Sequence, residues 1–352
     1  MKKRATKKAT KPSDSATGSK RFCGLKSVPP RAFGPHVSPD RARAIISSGA
    51  KWVNGTDLRY WFFSGPESQK KAMRQAFKVW IDLKIGISFT EVSVRDDSQI
   101  RIAFEDDGSW SYLGREILTI PKSEATMNIG WDISADLDTA VHEIGHTLGM
   151  PHEHQNPNAG IVWNEQNVYD SLAQPPNNWN REKTFWNIIR KIPASEVTGT
   201  DWDPDSIMHY PFEAGLILQP AKYATGLAPA GGLSANDKTW IKKTYPATVG
   251  VVKVLQAFTA APIAVASGGQ VEFAFKPTRS RRYRIRTFGN LDVVMVLARK
   301  DGSSETYLAG ADDSGDDRNS EIERRLERGS TYLVRLRVLY REPESDCAIM
   351  VW

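Results

Sequence analysis

One short stretch of the chain, V-H-E-I-G-H-T-L-G-M-P-H-E-H at residues 141–154, combines histidine and glutamate at spacings that suit metal chemistry. His142 and His146 are four residues apart, so on a helix both imidazoles project from one face and can bind a single metal ion. Glu143 lies beside the first histidine, where its carboxylate can take a proton from a water molecule at that metal. The stretch therefore predicts a hydrolytic metal centre on a helix.

The residues that follow this helix predict the third metal ligand. Gly149 can adopt the positive φ that ends many helices, and the turn would bring His152 to the first two histidines. A structural zinc would close its fourth position with a protein atom, commonly a cysteine, and the two cysteines, Cys23 and Cys347, are distant in sequence. Three nitrogen ligands and an open position indicate a catalytic zinc, one ion per chain. The full H-E-x-x-H-x-x-G-x-x-H pattern is the metzincin protease signature, which favours zinc over a chance match.

A second motif, S-I-M-H-Y at residues 206–210, resembles the Met-turn of the astacin branch of the metzincins. The resemblance implies that Met208 forms an apolar floor beneath the metal-binding imidazoles; an ordinary core methionine is the alternative. It implies that Tyr210 is a fifth, displaceable zinc ligand whose hydroxyl stabilises the oxyanion. It also implies that Glu153 binds an amino terminus newly exposed by activation, and the alternative is a surface charge. His154 lies beyond the ligand spacing and is expected to support the ligands or to lie at the surface.

Strands and one helix upstream of the metal helix are expected to form the sheet that positions it. Leu58, Tyr60 and Phe62 alternate with other residues as in a half-buried strand. Residues 87–94 and 99–104 alternate in the same way and also predict strands. The apolar face of the intervening helix consists of Met73, Ala76, Phe77, Trp80 and Leu83.

Residues Gly108–Gly114, G-S-W-S-Y-L-G, resemble the edge strand above the astacin cleft, which pairs antiparallel with an extended peptide substrate. Strand addition uses main-chain hydrogen bonds, so such an edge accepts many sequences around the scissile bond. A surface hairpin is the alternative. Thr126–Trp131 is expected to supply one more strand, and Asp136 or Asp138 to begin the metal helix.

The rest of the catalytic region is expected to be irregular. Residues 155–200 are rich in Asn, Pro and Trp and predict one helix at Glu182–Lys191, in a lower subdomain that forms one wall of the cleft. Residues 233–246 predict a last helix with Ser234 as its N-cap.

We predict an α+β fold, with a metzincin-type zinc protease domain at residues 51–248 and a small all-β sandwich at residues 249–352. The astacin resemblance covers roughly residues 51–247, and beyond it short segments alternate as half-buried strands do. The second region resembles the β-sandwich domains appended to bacterial secreted peptidases, which implies a non-catalytic accessory. An acidic cluster within it predicts either a calcium site or a solvated loop. Its members are Asp312, Asp313, Asp316 and Asp317.

Residues 1–50 are expected to be a basic, disordered tail and a candidate pro-segment. Residues 1–31 hold ten Lys or Arg and one Asp, whereas the remaining chain holds 37 basic and 40 acidic side chains. The net charge of +6 therefore arises in the tail and predicts no nucleic-acid-binding surface. The tail lacks the apolar h-region of a conventional signal peptide, and no stretch is apolar enough to span a membrane. We nevertheless expect a secreted protein, with the cytoplasm as the alternative.

The tail contains R-F-C-G at residues 21–24, in which Cys23 is a candidate latency ligand. A thiolate is a strong zinc ligand, so this cysteine on a leader could fill the open position and keep a zymogen inactive. Two alternatives remain open, a disulfide between Cys23 and Cys347 and an idle cysteine in a disordered leader.

These features predict a zinc-dependent endopeptidase that hydrolyses extended protein or peptide substrates with metal-activated water. The alternative is a catalytically weak binding module, in which the metzincin fold is a scaffold and the β-sandwich recognises a surface or a protein partner. Glu143 favours the enzyme, because a scaffold needs the histidines but not the base.

Overall fold

A computed structural model describes residues 21–28, 49–194, 201–247, 252–302, 304–312, 319–341 and 346–352 of the chain. The described residues form a catalytic region followed by a β-sandwich, and each has a buried apolar core. This arrangement confirms the predicted α+β fold class. Within the described residues, no helix is both long enough and apolar enough to cross a membrane.

The catalytic region is built on a five-stranded sheet with the strand order β2-β1-β3-β5-β4. Its strands are β1 (Asp57–Phe62), β2 (Ser88–Glu91), β3 (Ile100–Ala103), β4 (Trp110–Ser111) and β5 (Met127–Asn128). Strand β1 pairs parallel with β2 and β3, and β3 pairs parallel with β5. Strand β4 pairs antiparallel with β5 and is the last strand in the order, so the predicted edge is short.

Two helices pack together beside this sheet, α1 (Glu67–Ile81) and α2 (Asp138–Thr147). The face predicted for α1 is buried from Met73 to Trp80, whereas Leu83 lies beyond the helix and is half-buried. Trp80 Nε1 donates a hydrogen bond to the carbonyl oxygen of Val141 in α2 at 3.2 Å. Helix α2 is buried from Ala140 to its end. A helix enclosed in this way holds its side chains in fixed rotamers, which suits a metal site.

The lower part of the catalytic region contains more helix than predicted. Its elements are β6 (Val162–Trp163), α3 (Glu165–Leu172), α4 (Arg181–Thr184) with a π-helical turn at Phe185–Ile189, β7 (Ile217–Gln219) and α5 (Ala235–Thr244). The helix predicted at Glu182–Lys191 is present as α4 and its π-helical turn, which together span residues 181–189, whereas α3 upstream of it was not predicted. Asn164 and Asn180 cap the two helices through their side-chain oxygens. Helices this short are stabilised by tertiary packing rather than by propensity, which sequence periodicity does not reveal.

The C-terminal region is a sandwich of two sheets, with strand orders β13-β12-β15-β10-β8 and β14-β11-β16-β9. Its strands are β8 (Lys253–Leu255), β9 (Ala261–Pro262), β10 (Gln270–Phe275), β11 (Arg281–Phe288), β12 (Leu291–Asp301), β13 (Ser304–Ala311), β14 (Glu321–Leu326), β15 (Thr331–Arg341) and β16 (Ala348–Val351). Alternate residues of β12 face two different cores. Val293 and Met295 face the partner sheet, whereas Val294 and Val296 pack with Val53 of the catalytic region.

One buried arginine of β15 extends this contact between the two regions, and a second forms ion pairs within the sandwich. Arg337 donates from Nε to the carbonyl oxygen of Trp52 at 2.7 Å and from Nη2 to that of Thr244 at 3.0 Å. Arg335 pairs with Glu272 and Glu305. The sandwich therefore holds both the first and the last segment of the catalytic region.

The acidic cluster considered for calcium is only partly described. Asp312 forms an ion pair with Arg115 of the catalytic region. Asp313, Asp316 and Asp317 lie outside the described residues. Asp312 thus takes part in the contact between the two regions.

The segment 21–28 corrects the prediction of a disordered tail. Phe22 and Cys23 are only 8% and 5% exposed. The amides of Gly24 and Lys26 donate to the carbonyl oxygens of Ser109 and Ser111, at 2.9 and 3.2 Å. A segment too polar to fold alone gains order when it joins an exposed sheet edge and places its apolar side chains in a cleft. Residues 1–20 and 29–48 of the predicted tail lie outside the described residues.

Candidate active site and metal centre

Helix α2 and the turn after it bring three imidazoles together. The ring centroids of His142 and His146 are 4.6 Å apart, and that of His152 lies 4.6 Å from His146 and 5.4 Å from His142. Gly149 has φ 86°, and its amide bonds back to the carbonyl oxygen of His146 at 2.8 Å. This left-handed residue ends α2 and turns the chain toward the cluster, which is the path predicted from the spacing.

Backbone carbonyl groups fix the orientation of the two helical imidazoles. His142 Nδ1 donates to the carbonyl oxygen of Ile207 and His146 Nδ1 to that of Met150, each at 2.7 Å. These bonds leave both Nε2 lone pairs directed into the cluster, and His142 Nε2 has no hydrogen-bond partner among the described residues. Burial lowers the pKa of His142 to about 4 and holds the pKa values of His146 and His152 well below the usual range. Neutral imidazoles with free lone pairs suit a zinc ion.

Met208 lies directly beneath this helix. A Cβ atom on Gly145 would stand 2.5 Å from Met208 Sδ, so only glycine at this position allows the thioether to approach. The Met-turn is in turn held by Asp237 of α5, whose carboxylate accepts from Ser206 Oγ at 2.7 Å and from the amide of Ile207 at 2.8 Å. Sequence analysis missed Asp237. The S-A-N-D capping box at residues 234–237 was the available signal for a fixed carboxylate there.

Glu143 is fully buried beside the histidines. Apart from the nearby Cys23 thiol, the described residues place no hydrogen-bond donor at either of its carboxylate oxygens. Burial raises the pKa of Glu143 to about 8. An unpaired, buried carboxylate at this position is a candidate general base.

Tyr210 is brought to the same cluster by the Met-turn. Its hydroxyl lies 2.5 Å from His152 Nε2 and donates to the carbonyl oxygen of Cys23 at 2.5 Å. Its ring stacks on that of His154, with centroids 4.6 Å apart. His154 is buried, so its placement at the surface is excluded and its alternative, support of the neighbouring rings, is retained.

Cys23 joins the histidines from the leader segment. Its Sγ lies 3.6 Å from His146 Nε2 and 3.7 Å from His152 Nε2, and the candidate donor atoms of Cys23 and the three histidines all lie within 4.8 Å of one another. Cys347 is buried in the sandwich core, and no disulfide joins the two cysteines. The disulfide alternative is therefore wrong, and so is the placement of Cys23 in a disordered leader. Burial holds the pKa of the Cys23 thiol well above its usual range.

Glu153, next to the third histidine, is half-buried. Its carboxylate accepts hydrogen bonds from the amide of Asp203 and from Asn156 Nδ2, each at 3.0 Å. Burial raises its pKa to about 7. A half-buried carboxylate of this kind can accept a further cationic partner.

Comparisons with known proteins agree with these features. The family model described as Astacin, a family of peptidases, matches residues 44–216. Tolloid-like protein 1 of Mus musculus is 30% identical over 190 residues, which cover 51% of this chain and 17% of that protein. Bone morphogenetic protein 1 of Xenopus laevis is 29% identical over 194 residues, which cover 52% of this chain and 25% of that protein. This chain thus matches a quarter or less of the length of these curated relatives.

A solved structure agrees with this chain over a larger share of its length. The structure of myroilysin is 32% identical and superimposes with a TM-score of 0.52, over 57% of this chain and 97% of that chain. The family match contains all three clustered histidines, Glu143 and the Met-turn. The chain therefore belongs to the astacin family of peptidases.

Proposed function

We propose that this protein is a zinc-dependent endopeptidase that hydrolyses peptide bonds in extended protein or peptide substrates. The observation that carries the proposal is the convergence of three buried, neutral imidazoles next to the unpaired carboxylate of Glu143. His142, His146 and His152 would hold the zinc ion. When bound, zinc supplies a Lewis acid and lowers the pKa of a water molecule toward neutrality.

The side chains around the histidines have separate roles in proton transfer and in stabilisation of the developing charge. Glu143 takes a proton from the attacking water and returns it to the leaving amine. Tyr210 donates its hydroxyl hydrogen to the developing oxyanion, a role that suits a group already within 2.5 Å of His152 Nε2. Met208 and Gly145 keep the histidines fixed during these transfers.

The substrate would lie along β4, antiparallel to it, as the family resemblance implies. The carbonyl oxygens of Ser109 and Ser111 accept hydrogen bonds from the leader, so this edge is accessible to an extended chain. Main-chain recognition predicts tolerance of many sequences around the scissile bond.

Latency forms a second part of the proposal. Cys23 would fill the position that water needs, and the leader would cover β4. The leader runs parallel to β4, opposite to the proposed substrate direction, so its own peptide bonds are presented in reverse to Glu143. Cleavage between about Pro39 and Lys51 would release the leader, and the new amino terminus would pair with Glu153. An inhibitory leader also suits secretion, which cell fractionation of the producing organism would test.

The rival function, a binding module with a metal scaffold, does not use Glu143. Zinc analysis and digestion of a peptide library separate the two functions. A full chain with a site-specific protease recognition sequence between Pro39 and Asp40 is folded, cut and freed of its leader before assay. We expect about one zinc ion per chain and internal cleavage of many peptides. Stoichiometric zinc without any cleavage would favour the binding module.

A further inference from the structure

The side chain next to Cys23 occupies an aromatic pocket beside the metal centre. The ring centroid of Phe22 lies 5.1 Å from that of Tyr210, 5.8 Å from that of Phe212 and 6.3 Å from that of Trp179. The amide of Phe22 also donates to Asn177 Oδ1 at 3.0 Å. The pocket is therefore filled by the chain itself, and its occupant shows what fits it.

This pocket opens next to the position of bond cleavage. Phe22 directly precedes Cys23, whose Sγ lies among the histidine nitrogens. Tyr210 belongs to both places, because its ring lines the pocket while its hydroxyl lies 2.5 Å from His152 Nε2. A side chain in the pocket thus belongs to a residue adjacent to the one at the metal.

The direction of the leader identifies the side of the scissile bond that uses the pocket. Gly24 pairs with Ser109 and Lys26 with Ser111, so Phe22 lies toward the beginning of β4. An antiparallel substrate runs the other way, and its residues after the scissile bond lie toward the beginning of β4. The pocket therefore corresponds to the first residue on the carboxyl side of the cleaved bond.

We propose that the Phe22 pocket, lined by Trp179, Tyr210 and Phe212, selects substrates with a large apolar or aromatic side chain directly after the scissile bond. This inference rests on the endopeptidase function proposed above. Phe22 packs in a cluster of buried apolar and aromatic side chains, and the polar Asn177 contacts its backbone amide rather than its ring. The Lys183 ammonium stands 4.9 Å from the centroid of the Trp179 ring and close to Gly24, so it lies along the leader backbone.

Peptides that differ at one position test the proposal on the leader-free protein. The set carries Phe, Leu, Gly, Asp or Lys after the cleaved bond, and mass spectrometry verifies the cleavage position. We expect kcat/KM for the Phe and Leu peptides to exceed that for the other three by at least about tenfold, the discrimination that an apolar pocket provides. Trp179→Ala should reduce the Phe-to-Gly ratio to below about threefold, by the same reasoning on lost apolar contact. Trp186→Ala, which truncates an exposed tryptophan outside the pocket, should leave the ratio unchanged.

The outcomes separate this inference from the function on which it rests. Cleavage with no preference, or with a preference for Asp or Lys, overturns the pocket assignment and leaves the endopeptidase intact. A preference confined to the residue before the cleaved bond overturns it as well. Failure to cleave any peptide would instead contradict the proposed function.

A binding measurement decides the pocket assignment without relying on activity. A labelled peptide of residues 21–28 with Cys23→Ser is titrated into leader-free protein and followed by fluorescence anisotropy. Phe22→Ala in the peptide should raise Kd at least about tenfold, because the side chain that fills the pocket is lost. Ser27→Ala, at an exposed position of the leader, is the matched control and should leave Kd unchanged. Equal Kd values for the Phe22→Ala peptide and its parent would overturn the proposal.

Discussion

Substitution of Glu143 should impair hydrolysis without loss of the metal ion. Glu143→Gln keeps the shape of the side chain but cannot accept a proton, whereas the three histidines are untouched. We expect zinc content to stay at one ion per chain while kcat/KM falls at least about 10³-fold, the upper range for a positioned base. Metal analysis and peptide hydrolysis measure the two quantities on the same preparation.

His146→Ala is the contrasting variant, because it removes a ligand and should lose the metal itself. A Glu143→Gln enzyme that digests casein at nearly the original rate would contradict the assigned base.

Tyr210 should affect the transition state rather than substrate binding. Its hydroxyl is fixed by the Met-turn next to His152 Nε2, where charge develops on the substrate oxygen. Tyr210→Phe should lower kcat about 10–10³-fold with little change in KM, as expected for loss of one oxyanion donor. Steady-state kinetics on the leader-free protein supply both constants, and an unchanged kcat would remove Tyr210 from the mechanism.

The residues of the site differ in how far sequence could predict them. The spacing of the histidines and the S-I-M-H-Y motif identify residues that the structure brings together, because a helix and a turn translate short spacings into proximity. Phe22 and Asn177 are 155 residues apart, and no periodicity signals such a contact. Asp237 was likewise missed as the residue that holds the Met-turn, since a capping box predicts a helix start but not what the carboxylate contacts elsewhere.

At the scale of elements, the leader segment pairs with the edge of the sheet and places Cys23, the proposed latency ligand, among the histidines. Cys23→Ser replaces a strong zinc ligand with a weak one, so the uncut chain should gain activity even though the leader is still attached. The uncut wild-type chain and the uncut variant are compared under reducing conditions. Cys347→Ala, which alters a cysteine in the sandwich core, serves as the control and should leave the activity of the uncut chain unchanged. Equal activities of wild type and Cys23→Ser would contradict latency through this thiol.

The helical turn after β4 should give folding stability a distinctive pH dependence. Burial raises the pKa of Glu116 to about 7, against the bonds that the amides of Leu113 and Val28 donate to it. Between pH 4.5 and pH 7 the folded state therefore keeps a proton on Glu116 that the unfolded chain has already released. The free energy of unfolding falls as pH rises through this range, because the folded state binds more protons than the unfolded state. Relative to wild type, Glu116→Gln should become more stable by up to about 3 kcal/mol between pH 4.5 and pH 8.

Denaturant unfolding at the two pH values measures this change. Glu124→Gln, at an exposed position, is the matched control. If the free energy of unfolding of Glu116→Gln differs from that of wild type by the same amount at both pH values, Glu116 does not cause the pH dependence.

The element boundaries show where sequence patterns are insufficient. The long helices α1 and α2 and the strands of the sandwich follow clear periods and were anticipated in outline. Strands β4 and β5 are two residues each, so they depend on neighbours rather than on their own pattern. Helix α3 was missed because its eight residues lie among loops rich in Asn and Pro. The leader was predicted as disordered because its composition says nothing about the cleft that receives it.

For the molecule as a whole, the sandwich is more closely integrated than an appended accessory would be. Arg337→Met would leave the carbonyl oxygens of Trp52 and Thr244 without their buried donors. We expect the free energy of unfolding to fall by about 2–4 kcal/mol, as for loss of a buried, charge-assisted hydrogen-bond group. Denaturant unfolding compares this variant with Arg325→Met, an exposed arginine of β14 that should lose less than about 0.5 kcal/mol.

Equal, small losses for the two arginine variants would show that the two regions are energetically independent.

The guanidinium of Arg337 also bears on the order in which this protein is made. It contacts Trp52 across 285 positions of the chain, so the first segment of the catalytic region meets this donor only after 285 further residues have been synthesised. At roughly 5–20 residues per second, the ribosome adds the stretch from the end of α5 to β15 over several seconds. During this time the catalytic region lacks the hydrogen bonds from Arg337. Chains whose synthesis stops before β15 lack this arginine. The hydrogen bonds that Arg337 donates to Trp52 and Thr244 can therefore form only after β15 has been synthesised.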